Sequence, residues 1–144
     1  MIGKTLSRFS SFLLVFVMLI CSTAFPIPVR AVGILYVSPT GIGDCSSWAS
    51  TCTLQTALAS AVNGNEIWAA AGIYKPDDSN REMSFALKNG VAIYGGFDGT
   101  ETLLGQRNPL LNTTVLSGDI GVTGNSSDNS YHVITGSNTD LTAR

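Results

Sequence analysis

The residues whose chemistry is plainest are Cys45 and Cys52, separated by six residues. In an oxidising compartment two thiols this close join as a disulfide. Closing so small a loop stabilises a fold by roughly 2 to 3 kcal/mol in the chain-entropy account. A metal site or a redox pair is the alternative, but no histidine lies near and the spacing is not Cys-x-x-Cys. His132 is the single histidine; between Tyr131 and Val133 it suits an exposed strand position better than a general base. Ser117 and Ser130 lack the Gly-x-Ser-x-Gly context of a hydrolase nucleophile. Asp98, Asp119 and Asp128 stand singly in turn-rich sequence, without the Asp-x-Asp spacing of a calcium loop. No catalytic residue, metal ligand or cofactor site is therefore assigned. Trp48, Trp68, Tyr74, Tyr94 and Phe97 supply flat apolar faces that could stack on the C–H surface of a sugar ring or pack in a core.

Elements that could position these side chains are short. Ile34 to Val37 is an apolar, β-branched and aromatic run closed by Ser38-Pro39-Thr40-Gly41, which predicts a strand and a turn. From Thr53 to Val62 the apolar residues Leu54, Ala57, Leu58, Ala61 and Val62 fall at helical spacing. Thr53 serves as N-cap and Asn63-Gly64 as the stop. So short a helix is stable only with its apolar face covered. Four later runs align in residue type: Ile67 to Ala70, Ile93 to Gly96, Val115 to Gly118 and Val133 to Gly136, at offsets of 26, 22 and 18 residues. Each offers a β-branched aliphatic residue, then a large apolar one, then a small one, then Ala or Gly; another short strand is expected within Met83 to Leu87. The separations leave room for a full circuit of chain, so successive parallel coils are favoured over hairpins, with like residues stacked in columns. Trp68 and Tyr94 share such a column and would be core if it points inward, a candidate glycan-contact strip if outward.

The chain opens with Lys4 and Arg8 and no acid, followed by ten uninterrupted apolar residues from Phe12 to Cys21. That is the charged head and apolar body of a signal peptide, with cleavage after Ala24 or Ala31. Pro26 and Pro28 interrupt the apolar character beyond Cys21, against a spanning helix of about 20 apolar residues. Residues 1–31 are expected to be the signal peptide and 32–144 the exported domain. The exported part has five basic side chains against ten acidic ones, a balance that excludes nucleic acid as a partner. Membrane contact is expected only through the signal peptide or an anchor outside this chain. Its abundance of Gly, Asn, Ser and Thr suits β structure with many turns. Asn112-Thr113-Thr114 and Asn125-Ser126-Ser127 fit the N-glycosylation pattern, relevant in a eukaryotic secretory pathway.

The order LYVSPTG, TLQTAL, NGNEIWAAAGIYKP, FALKNGVAIYGGFDGTE, VLSGDI and NSYHVITGS resembles the amino-terminal end of right-handed parallel β-helix proteins of the pectin-lyase-like superfamily, as found in secreted bacterial surface proteins. The resemblance implies a mainly β solenoid whose first coil is plugged by the Thr53 to Val62 helix, incomplete at the carboxyl end. It also implies a place to look for lyase chemistry, where acidic clusters hold calcium and a base abstracts a proton. Asp77 and Asp78, with Lys75 and Arg81 close by, come nearest to that pattern; a solvated turn is the plainer reading. The fold hosts many activities, so it carries an address more than a reaction. The function expected is an exported cell-surface or extracellular module with a structural, adhesive or glycan-binding role, its partner a polysaccharide or surface glycan. The alternative is the amino-terminal part of a polysaccharide lyase or glycoside hydrolase with its active site beyond residue 144. A self-contained carbohydrate-binding β-sandwich would require hairpins.

Overall fold

Strand β1 (Ile34–Val37) forms where the apolar run predicts it, and ends as Gly41 N–H closes a turn onto the Ser38 carbonyl at 3.2 Å. The computed structural model describes residues 33–136; the expected signal peptide and its cleavage points at Ala24 and Ala31 lie outside the described residues. Helix α1 (Leu54–Ser60) begins where Thr53 accepts the Thr56 N–H on its hydroxyl at 3.2 Å. It stops earlier than the apolar periodicity, because Ala61 is already extended and Val62 donates its N–H to the Asn65 side chain at 2.8 Å. Strands β2 (Glu66–Ala70), β3 (Gly72–Tyr74), β4 (Phe85–Ala86), β5 (Ala92–Phe97), β6 (Thr114–Leu116) and β7 (Ile134–Thr135) come after it.

These strands make one three-stranded sheet in the order β1-β2-β5 and two two-stranded sheets, β3-β6 and β4-β7. Every pair is parallel. The expected solenoid of stacked right-handed coils is thereby corrected: among the described residues there are small separate parallel sheets, one short α-helix and two single-turn 3-10 helices (Trp48–Ser50 and Leu104–Gln106), and no closed solenoid. Of the four aligned runs, only the first two share a ladder, with Ile67 opposite Ile93 and Trp68 opposite Tyr94. Val115 pairs instead with Ile73, and Ile134 with Phe85. The physical reason lies after β5. Asn108 N–H bonds the Gly96 carbonyl at 2.7 Å and the Thr114 hydroxyl accepts from Gly96 N–H at 3.1 Å, so the chain folds back and re-enters beside β3. An aliphatic residue followed by small ones suits any short half-buried strand, so residue type alone does not name the neighbour.

The three-stranded sheet buries both faces around β2. Val37, Ile67 and Ala69 join Leu54, Ala57 and Leu58 of α1 in the aliphatic core, along with Tyr74, Phe85 and the two cysteines. Trp68 takes the opposite face, as strand alternation requires. The sharp passage from β2 to β3 depends on Gly72, whose φ is +142° and whose absent side chain leaves room for Pro39 Cγ.

Candidate functional site

A shallow open groove of ≈ 270 Å³ lies between the start of α1 and the segment leaving β3. Tyr74 and Phe85 sit at its base, almost wholly buried, and Pro39, Lys75, Asp77 and Asp78 stand around it. Strand β3 delivers Lys75 directly. The segment beyond is tied to the helix by the Gln55 amide, which donates to the Pro76 carbonyl at 2.9 Å and the Ser84 carbonyl at 3.1 Å. Asp77 turns one carboxylate oxygen onto the N–H groups of Asn80 at 2.7 Å and Ser79 at 2.8 Å. Those bonds, that of Asn80 foremost, hold its carboxyl below the usual carboxylate range. The Tyr74 hydroxyl lies 2.9 Å from the Ala70 carbonyl and 3.1 Å from that of Val37, and burial pushes its pKa up. It stays neutral and structural. Arg81, grouped with these residues by sequence proximity, is directed elsewhere: its Nε donates to the Asn129 carbonyl at 2.7 Å, and its guanidinium lies 4.3 Å from the centre of the Tyr131 ring.

The groove therefore offers one ammonium and two carboxylates, one of them fixed in an ionised state, over an apolar floor. A second hollow of ≈ 320 Å³ is lined mainly by Leu54, Leu87, Ile93, Leu116 and Ile134 and has little to orient a polar ligand.

The aromatic column is longer than its two members in the sequence suggest. Tyr36, Trp68 and Tyr94 lie opposite one another on β1, β2 and β5. Trp68 is 2 % exposed. Phe97 stacks on it at 4.7 Å with planes 10° apart, Tyr36 meets it edge-on at 5.9 Å, and its ring N–H donates to Glu66 at 2.8 Å. Trp48 adds an edge contact to Tyr36 at 4.8 Å and bonds the Glu101 carbonyl at 2.8 Å. Tyr94 is half-buried, with the Arg107 guanidinium 5.5 Å from its ring centre.

Cys45 and Cys52 form a disulfide. Its loop lies against the outer edge of β1: Tyr36 N–H donates to the Cys45 carbonyl at 2.9 Å, Cys52 N–H to the Tyr36 carbonyl at 3.2 Å, and Ser38 N–H to the Cys52 carbonyl at 3.1 Å. Gly41 permits this approach, since a Cβ there would meet the Cys52 carbonyl oxygen at 2.5 Å. Just before the loop, Asp44 gathers the Ser46 hydroxyl at 2.6 Å, the Ser50 hydroxyl at 2.9 Å and the Ser46 N–H at 3.0 Å. The Ser46 hydroxyl is the leading cause of a carboxyl pKa lowered to about 2. Asp44 and Gln55 do not stand out in the sequence. An acid just before a Ser-rich turn is the visible signal for the first; Gln55 acts on partners 21 and 29 residues away and leaves none.

His132 is exposed, and Asp98, Asp119 and Asp128 each bond backbone N–H groups of their own turns. Among the described residues, no group of three or more His, Cys, Asp or Glu side chains could hold a metal ion, and no helix is long and apolar enough to cross a membrane. No protein-family model, curated protein or solved structure matches the chain.

Proposed function

We propose that this chain works outside the cytoplasm as a carbohydrate-contacting surface module, with the groove bordered by Lys75, Asp77 and Asp78 as the contact site. The observation that carries the proposal is the lining of that groove. Carboxylates and an ammonium beside the exposed Pro39 surface match a saccharide, which presents hydroxyls around its rim and C–H groups on its faces. The disulfide supports the extracytoplasmic part, because such bonds persist where thiols are not kept reduced. A shallow, open groove suits adhesion by many weak contacts rather than enclosure of one reacting molecule. The test is glycan-array screening of the exported protein, followed by titration of Asp78→Ala and Lys75→Ala. Loss of retention by about tenfold or more in either variant, with an unchanged melting temperature, supports the site. Absence of retained glycan, or retention indifferent to both substitutions, refutes it.

A further inference from the structure

We propose that the Cys45–Cys52 loop is a lock over a self-docking edge: the outer edge of β1 is the surface to which β5 of a second copy would add. The backbone bonds of β1 are spent on two different neighbours. On one side β1 pairs with β2. On the other, Tyr36 spends both its N–H and its carbonyl on Cys45 and Cys52, and Ser38 spends its N–H on Cys52. An edge strand relieved of that loop would present those groups unpaired, which is a template for another strand.

The ladder identifies the occupant. Residues Leu35-Tyr36, Ile67-Trp68 and Ile93-Tyr94 repeat an aliphatic and an aromatic residue in register across three parallel strands. Among the described residues strand β5 has β2 as its one strand partner; Gly95 and Gly96 are also bonded by Arg107, Asn108 and Thr114, so the stretch offered to a second copy is residues 92–94. A second copy placing β5 against β1 in the same direction would continue both columns, setting Ile93 by Leu35 and Tyr94 by Tyr36. Such a contact joins unlike surfaces and does not close, so it propagates from copy to copy.

What prevents it is the disulfide. Cys45 and Cys52 are 2 % and 1 % exposed and sit in the core cluster, so the loop is anchored at both of its ends. Cys45 also holds a φ of 68°, a conformation rare for residues other than glycine and maintained here by its surroundings. In the chain-entropy account, a ring of this size shifts the opening equilibrium of its loop by a factor of about 70.

Hydrogen exchange and sedimentation of the full chain test the lock in a Cys45→Ala/Cys52→Ala variant. The expected result is that the Tyr36 and Ser38 amides exchange about 10- to 100-fold faster, that the central-strand amide of Ile67 stays protected, and that the protein associates with rising concentration. In the associated material the Ile93 amide should gain protection. The wild-type protein with dithiothreitol is the second arm: the S–S bond breaks to two thiols as one dithiothreitol is oxidised to its cyclic disulfide, and the same changes should occur. Unchanged Tyr36 exchange overturns the proposal, as does an open edge that stays monomeric. Loss of Ile67 protection in both arms also overturns it, since the bridge would then hold the whole fold and not a removable guard.

Discussion

Truncating Trp68 to alanine is the sharpest probe of the aromatic column. The ring is 2 % exposed, stacked on Phe97 at 4.7 Å and in edge contact with Tyr36 at 5.9 Å. Removing a side chain so buried leaves a cavity bounded by β-strands on one side and two other rings, and costs about 3 to 5 kcal/mol. The bond from its ring N–H to Glu66 adds little, because Glu66 is half-exposed and water replaces the donor. Against a total stability of roughly 5 to 15 kcal/mol, that is a large fraction. At about 4 to 8 °C per kcal/mol for a domain near this size, the melting temperature should fall by roughly 15 °C or more. Urea unfolding followed by circular dichroism measures it. Trp68→Phe, which keeps a ring in the stack and loses the N–H bond, should cost no more than about 1 to 2 kcal/mol. A Trp68→Ala loss below about 1 kcal/mol with an unchanged denaturant slope would refute the burial argument. Such a result would point to a ring that is free to meet a ligand.

Two further outcomes are expected. The Asp44 carboxyl is held at about 2 by the Ser46 hydroxyl and by the Ser46 N–H and Ser50 hydroxyl behind it. A depressed carboxyl contributes stability that is present above its unfolded value of 3.8 and lost as pH falls through about 2. Protection of the Cys45 amide, which donates to the Ser50 carbonyl, measured against an unstructured amide at the same pH, should therefore hold down to about pH 4 and fall toward pH 2; a protection profile in Asp44→Asn identical to the parent's would contradict this. Thr53→Ala removes the acceptor for the Thr56 N–H and should destabilise the protein by about 1 kcal/mol in chemical denaturation, while Thr53→Ser should be nearly neutral. Equal effects of the two substitutions would show that the hydroxyl is not the cause.

Local features of this fold are legible in its sequence, and partner choice is not. The Ile34 to Val37 strand, the Thr53 cap and the Cys45–Cys52 bridge each depend on a few neighbouring residues, and each is present. The register of Trp68 with Tyr94 is also visible, because two unusual large-and-small runs agree in every position. Tyr36 belongs to the same column but is hidden, since Val37 stands where Trp68 and Tyr94 are followed by Ala69 and Gly95. The runs at Val115 and Val133 fit the column in type and join other strands in fact. The Val115 run is turned aside where Asn108 N–H bonds the Gly96 carbonyl and Gly96 N–H bonds the Thr114 hydroxyl, a tertiary detail with no periodicity to betray it. The groove shows the same division: Lys75, Asp77 and Asp78 stand out as a charged turn, whereas Gln55, which fixes that turn to the helix, looks like any polar residue on a helix surface.

The parallel pairing of every strand has a consequence for how the molecule comes into being. With no hairpin among the described residues, partners are far apart along the chain: 32 residues from Ile34 to Glu66, 26 from Glu66 to Ala92, 42 from Gly72 to Thr114 and 49 from Phe85 to Ile134. Each sheet contact must close a long loop before any ladder bond compensates for the lost chain entropy. At a synthesis rate of about 5 to 20 residues per second, Phe85 waits several seconds for its partner strand to exist. Through that interval β1, β2 and β5 all come to exist and can pair, while Phe85 still lacks the strand it bonds. The same topology that makes the finished sheets long-range leaves the nascent chain dependent on staying apart from its neighbours until Ile134 arrives.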